Sequence, residues 1–472
     1  MPDCYGMFRR GNLLALIAGA VDDRSARGIA AAVSRLITAS SLPAGMRLPT
    51  VRDVARELGV SPTTVSEAWS SLARAGAIET RGRSGTFVTS QSRPLRYAQL
   101  GGPALLGVTR DLSTGVPDHD LLPSLTDALK RIGVHQAGSR LTTSYLDAPV
   151  LPQLEAALRT RWPFPPEQVT VVDGALDALD RVTGAVVRFG DHVLVENPTF
   201  PPTLDLLEVV GATVVGVPVS ASGLSVEGLS AALTECSPTA LFLQPRAHNP
   251  TGESMTAERA AALAEVLAGH PGVTIVEDDH AGDISSAPTV SLGSWLPERT
   301  VHVSSFSKSH GPDLRLAAIG GPASVVAAVA DRRLLGPGWS SRILQAVLVD
   351  LLADSAAADQ VAAARTEYAR RRETLLAALA ARGVTATAAD GINLWLTVEN
   401  EQVAMLSLAA RGIAVAPGTP FEVSPLGGDH VRVTVGLVRD GFEELADILA
   451  DAAGAQSRGS GARARAHPRG WR

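Results

Sequence analysis

Lysine is almost missing from this chain: Lys130 and Lys308 stand against 40 arginines. A guanidinium does not release its proton near neutral pH, so chemistry that needs a neutral side-chain amine is confined to two positions. Cysteine is equally scarce. Cys4 and Cys236 lie far apart, which rules out a disulfide framework and a cysteine-built zinc site; two isolated thiols suit a reducing compartment. The ten histidines show no HExxH-like spacing, so no metal is expected. Long apolar runs are lacking too. The run from Leu13 to Val21 behind Arg9 and Arg10 is too short to span a bilayer and has no clear cleavage pattern beside it. A soluble cytoplasmic protein with no membrane partner is expected.

What is present is a chain of 472 residues, 45% hydrophobic, long enough for more than one domain and apolar enough for a large core. The formal charge of −6 hides a segregation. Residues 1–93 hold 12 arginines and 7 acids, residues 94–455 hold 25 basic and 41 acidic groups, and residues 456–472 hold five arginines and no acid. A basic head on an acidic body suits a polyanionic partner, although charge scatter alone explains the numbers equally well.

Within the head, helical spacing of Ile29, Val33, Leu36 and Ile37 runs over 23–41 and breaks at Leu42-Pro43-Ala44-Gly45. A second helix is expected over 51–58, ended by Gly59. Ser61-Pro62 opens a third, with Ser61 as cap and Pro62 at the first helical position. Val65, Ala68, Trp69 and Leu72 line one face of it, and Gly76 stops it. Two short strands then flank Arg81-Gly82-Arg83-Ser84-Gly85. Helix, helix-turn-helix and β-ribbon make a winged helix. Its third helix exposes Ser61, Thr63, Thr64 and Ser66, whose hydroxyls suit phosphates or base edges. Arg52 starts the second helix, and Arg81, Gly82 and Arg83 form the wing. The other reading is a small helical module with solvated charges. The segments Leu48-Pro49-Thr50-Val51-Arg52-Asp53-Val54-Ala55, Leu58-Gly59-Val60-Ser61 and Arg81 to Val88 resemble the GntR family of bacterial regulators.

The domains are expected as an arm (1–22), a winged helix (23–90), a linker rich in Pro and Gly (91–110), an α/β domain (111–455) and a disordered basic tail (456–472). From Asp111 onward, apolar runs at 169–172, 193–195, 240–243, 273–276, 300–303 and 317–319 alternate with amphipathic helices at 175–188, 200–210, 256–269 and 322–335. That alternation argues for a large, mostly parallel sheet, and 340–455 reads as a smaller α/β lobe.

Lys308 follows one such strand in Ser304-Ser305-Phe306-Ser307-Lys308, with Arg315 seven residues on. Taken alone it is an ordinary surface lysine. Other segments repeat the placement. Asn249-Pro250-Thr251-Gly252 and Glu277-Asp278-Asp279 also follow strands, and Gly174-Ala175-Leu176 opens a helix after one. An amine for an aldehyde, an amide for a phenolic oxygen, a carboxylate for a pyridinium and a helix N-terminus for a phosphate together fit pyridoxal 5'-phosphate. Strand ends are where α/β sheets bind ligands.

The order resembles the fold-type I aminotransferases. Joined to the winged helix, it resembles the MocR subfamily of GntR regulators. The resemblance implies that Lys308 forms the Schiff base, Asp278 pairs with the pyridine nitrogen, and Asn249 with the phenolic oxygen. It implies that Phe200 stacks on the ring and that Ala175, Leu176, Ser305, Ser307 and Arg315 surround the phosphate. Tyr145 would reach the neighbouring subunit's phosphate in a homodimer. Arg432 would bind an effector carboxylate, an ordinary surface salt bridge being the equal alternative. His280 stands where the family usually has tyrosine, and Asp313, Ala317, Leu146, Pro62 and Ser66 also depart from its pattern. The implied function is a regulator that binds double-stranded operator DNA and senses pyridoxal phosphate or an amino compound. The alternative is an active aminotransferase with an accessory DNA-binding module.

Overall fold

A computed structural model describes residues 10–39, 41–74, 76–89, 95–100, 108–135 and 144–455. The basic tail after 455 and the first nine residues lie outside them. The run read as an N-terminal arm is helical: α1 (Arg10–Ala20) buries Leu13 and Ile17 in one core with Ile29, Val33, Val54, Val65 and Leu72. α2 (Ala26–Thr38) begins at Ser25, which accepts the Gly28 amide. α3 (Val51–Leu58) begins at Thr50, which accepts the Asp53 amide, and stops at Gly59, φ 66°, a left-handed position that a Cβ disfavours. α4 (Pro62–Arg74) begins at Ser61, which accepts the Thr64 amide at 3.1 Å. β1 (Ile78–Thr80) and β2 (Thr86–Val88) pair antiparallel as the wing. Each helix start in this helix-turn-helix is thus set by a hydroxyl cap, worth about 1 kcal/mol apiece, and the buried apolar faces hold the helices together.

Part of the expected linker is ordered. α5 (Arg96–Gln99) lies along the body rather than hanging free. The body then builds one eight-stranded sheet from β3 (Gln168–Val172), β4 (His192–Asn197), β5 (Thr213–Ser220), β6 (Gly223–Leu224), β7 (Ala240–Leu243), β8 (Thr274–Asp279), β9 (Thr300–Ser305) and β10 (Ala317–Gly321). Their spatial order is β3-β10-β9-β8-β7-β4-β5-β6. The pairs β9–β8, β8–β7, β7–β4 and β4–β5 are parallel, and β10 runs antiparallel to β9 and β3. Helices α6 (Ala175–Val186) and α7 (Pro201–Val210) cover one face, and helix Ala257–Ala268 packs on the other. Both faces are therefore dry, which is why these strands read as continuous Val, Ile and Leu rather than as an alternation. Parallel register sends the carboxyl ends of β4, β7, β8 and β9 to one edge. The smaller lobe is an antiparallel sheet of Ala386–Thr387, Leu394–Val398, Asp429–Val433 and Ala416–Pro417, backed by the long helix Ser355–Ala380.

Head and body touch directly. Arg27 on α2 donates through Nε to the Phe189 carbonyl (3.0 Å) and through Nη2 to Asp191 Oδ1 (2.7 Å), while the Phe189 ring packs against the head's core. Among the described residues no helix is long and apolar enough to cross a membrane. Ile17 is 1% exposed, so Ile17→Ala should destabilise the head by about 2–4 kcal/mol. Urea unfolding checks this, and a wild-type midpoint would mean that α1 does not belong to the core.

Candidate functional site

The carboxyl edge of the large sheet opens onto a cavity of about 190 Å³. Every residue expected at the cofactor or effector lines it except Tyr145. Ala175 and Leu176 come from the start of α6 and Phe200 from the start of α7. Asn249 lies after β7, Asp278 and His280 at the end of β8, and Ser305, Ser307 and Lys308 at and after β9. Arg315 precedes β10, and Arg432 reaches in from the smaller lobe. Tyr145 lies on the surface, 86% exposed, with its ring stacked 5.9 Å from that of Trp339.

Burial sets the protonation states. Lys308 is pushed down to about 8 by burial, helped by the Arg432 charge and opposed by Asp278. Asp278 is pushed up to about 6 by burial, against a hydrogen bond from Gln244 and the charge of Lys308. Gln244 Nε2 donates to Asp278 Oδ2 at 2.7 Å, whereas Oδ1 is buried without a partner. A buried carboxylate oxygen left unpaired is costly, and a pyridinium N–H is the kind of donor it lacks. His280 donates from Nε2 to the Ala247 carbonyl at 2.9 Å, because a carbonyl can only accept. Burial and the nearby Lys308 charge hold its imidazole well below its usual pKa, hence neutral, so its buried Nδ1 offers a lone pair and no proton.

At the other end of the cavity, Arg315 takes up φ 48° and donates Nη2 to the Asp173 carbonyl at 2.8 Å. Gly174, φ 98°, leaves room for that guanidinium: a Cβ there would lie 3.1 Å from it. The α6 N-terminus begins at the same point, giving backbone N–H groups, a cation and two serines around one spot, a donor set that fits a phosphate.

Arg432 is 2% exposed. It donates to the Ser113 carbonyl and, at 3.3 Å, to Asn249 Oδ1, lies 5.4 Å from the Phe421 ring centroid, and keeps a buried, unpartnered Nε. It forms no ion pair with an acid among the described residues; burial lowers it to about 10. The surface salt bridge weighed from sequence is therefore not its environment. The triad Asp118, His119 and Asp120 has metal-ligand spacing, but Asp118 is already shared by Arg371 and Arg439.

On the head, Arg52, Ser61, Thr63 and Ser66 are exposed and Thr64 is half-buried. The Ser61 and Thr64 hydroxyls lie 2.9 Å apart and serve the helix start, leaving Thr63 and Ser66 as the outward hydroxyls. Arg81 is tied into the wing by Glu79 (Nε to Oε1, 2.8 Å) and by the Phe87 ring. Gly82 supplies φ 50° in the wing turn; the Arg83 side chain lies outside the described residues.

Sequence reasoning missed Gln244, which orients Asp278; it directly follows strand β7, the same signal that singled out Asn249. It also missed Tyr97 in the cavity wall, inside a segment with no periodicity, and Arg47, which packs over Gly85 of the wing.

Residues 25–88 match the family described as bacterial regulatory proteins, gntR family, and residues 109–449 match aminotransferase class I and II. The chain is 35% identical over 437 residues to the vitamin B6 salvage pathway transcriptional repressor PtsJ of Salmonella typhimurium, covering 91% of this chain and 98% of that protein. It is 28% identical over 407 residues to the probable rhizopine catabolism regulatory protein MocR of Rhizobium meliloti, covering 79% of each. The fold is shared with aspartate aminotransferase from Thermus thermophilus, solved with maleate, at a TM-score of 0.65 and 24% identity over 72% of this chain and 91% of that one. With a GntR-type winged helix and an aminotransferase-fold body in one polypeptide, the chain belongs to the MocR-type branch of the gntR family of bacterial transcriptional regulators.

Proposed function

We propose that this regulator binds pyridoxal phosphate on Lys308 and that the cofactor, alone or with an amino compound, sets how the head engages operator DNA. The observation that carries the reading is the pairing of a half-buried amine with a buried, half-satisfied carboxylate in one cavity: Lys308 lowered to about 8 and Asp278 with an unpartnered Oδ1. When bound, the cofactor supplies an aldehyde for amines and an electron-withdrawing ring. Lys308 provides the amine, and Asp278 holds the proton on the pyridine nitrogen. Arg315, Ser305, Ser307 and the amides of Ala175 and Leu176 hold the phosphate. Phe200 lies against the ring and Asn249 serves the phenolic oxygen. His280, its Nε2 proton given to the Ala247 carbonyl, would offer that oxygen no donor. Arg432, buried and cationic, takes the carboxylate of an amino effector bidentately.

The partner of the head is a double-stranded operator, met by Arg52, Thr63, Ser66, Arg81, Gly82 and Arg83, with Ser61 and Thr64 fixing the start of the recognition helix. A homodimer is supported by the exposed Tyr145 and Leu146 beside Trp339, an apolar surface that a second subunit would cover. Such a regulator works in the cytoplasm.

The test is an absorbance titration with pyridoxal phosphate paired with a gel shift on the gene's own upstream region. Lys308→Ala should lose the cofactor band and the cofactor dependence of the gel shift together; keeping the dependence without the band would overturn the reading, as would amino-donor turnover with no sequence-specific DNA binding.

Because only the neutral amine attacks an aldehyde, the rate of pyridoxal phosphate capture should climb about tenfold per pH unit below the Lys308 pKa and level off above about 8. Stopped-flow absorbance from pH 6 upward checks the sign; a rate that is flat or falls with pH contradicts it. For the head, Arg52→Ala should weaken DNA binding similarly for all sequences and reduce the salt slope by about 1, read by fluorescence anisotropy at several salt concentrations.

A further inference from the structure

The segment that joins head to body also forms a wall of the cavity. The amides of Arg96 and Tyr97 donate to the two carboxylate oxygens of Asp205 on α7, each at 2.9 Å. Arg96 Nη2 reaches Glu208 at 2.7 Å, and Nη1 donates to the Glu422 carbonyl at 2.9 Å. Leu100, at the other end, is buried in a cluster with Trp395, Ala416 and Phe421. Held at both ends, this strap puts Tyr97 and Leu100 into the lining of the cavity that contains Lys308 and Arg432.

Tyr97 stands at the mouth, 51% exposed, in the lining of the cavity that Arg432 enters. The Arg432 guanidinium keeps a buried Nε with no partner. A carboxylate has about four lone-pair sites, and a guanidinium fork fills two of them. A phenol in the same cavity wall can fill a third.

We propose that the strap belongs to the effector site, with Tyr97 a specificity residue whose hydroxyl donates to a carboxylate held by Arg432, so that α-amino acids, and not simple amines, fasten the strap to the body. The proposal rests on the cofactor reading above. It makes the effector class the amino acids, and it makes the linker itself the part of the chain that registers occupancy.

The strap lies on a continuous line of contacts toward the head. Its anchor α7 begins beside Phe200 in the cavity and ends at Gly211. The Gly211 carbonyl accepts the Gly190 amide at 2.9 Å, next to Phe189 and Asp191, the two residues that Arg27 of the head holds. Contiguity alone does not demonstrate coupling; a change in the strap on ligand binding does.

The probes are glycine, the smallest α-amino acid, and methylamine, an amine without the carboxylate, each added to the full chain loaded with pyridoxal phosphate. Cofactor absorbance follows binding, and amide hydrogen exchange over residues 95–100 follows the strap. Glycine is expected to bind more tightly than methylamine and to slow exchange in the strap about fivefold, with methylamine leaving it unchanged. In Tyr97→Phe the glycine titration should move to about fivefold higher concentration, the loss of one hydrogen bond, with the methylamine titration unmoved. Equal glycine titrations in wild type and Tyr97→Phe, glycine binding no better than methylamine, or strap exchange indifferent to glycine would each overturn the proposal. A wild-type protein that never develops the cofactor band defeats the cofactor reading itself, and so tells the two failures apart.

Discussion

The site depends on holding a half-buried amine and a buried carboxylate in one cavity. Burying charge is costly, and here the Asp278 carboxylate is not fully compensated by the protein. Gln244 satisfies one oxygen of Asp278 and leaves the other unpartnered; burial pulls Lys308 and Asp278 toward their neutral forms. The parallel sheet makes this possible, because the ends of β7, β8 and β9 converge without any one loop having to carry the whole site. The folding free energy lost to an incomplete polar network is recovered elsewhere, in strands buried on both faces at roughly 1.5–3 kcal/mol per large aliphatic side chain.

Much of this was legible in the sequence, for identifiable reasons. Apolar runs with turn chemistry after them located the strands, and chemistry-bearing residues after those runs singled out Lys308, Asp278 and Asn249, whereas Arg432 came only from the family resemblance. Ser61 read as a cap because a hydroxyl ahead of Pro62 and an amphipathic stretch has few other uses, while the caps Ser25 and Thr50 emerged only with the structure. What escaped was whatever depends on a partner distant in sequence. The Leu13–Val21 run has too uniform a pattern to say which face it buries, so its place in the head's core was hidden. The strap is four helical residues long, below the length at which periodicity speaks, and is defined by Asp205, more than a hundred positions away. The proton of His280 could not be assigned until the Ala247 carbonyl was seen beside it. The buried setting of Arg432 likewise needed the Ser113 carbonyl and the Phe421 ring.

The head illustrates the same division. Of the four hydroxyls expected to be exposed on the third helix, Ser61, Thr63 and Ser66 are exposed and Thr64 is half-buried, and Ser61 and Thr64 are partly consumed in starting the helix. Arg81 is likewise held by Glu79 and Phe87 within the wing. Such intramolecular ties fix a side chain before DNA arrives and lower the entropy lost on contact, at the cost of competing with that contact.

The two lysines differ in one further respect. Lys130 is exposed and leans on Asp127 at 3.2 Å, whereas Lys308 is half-buried in the cavity with its basicity reduced. Every other long-chain cation is an arginine, which is inert toward aldehydes under mild conditions. The side-chain amines that a reactive aldehyde can meet are therefore two, Lys130 on the surface and Lys308 in the cavity. The arginine-for-lysine bias thus acts as chemoselectivity: it limits side-chain amine labelling to two positions outside the head and leaves the arginines of the basic head free of adducts that would erase their charge.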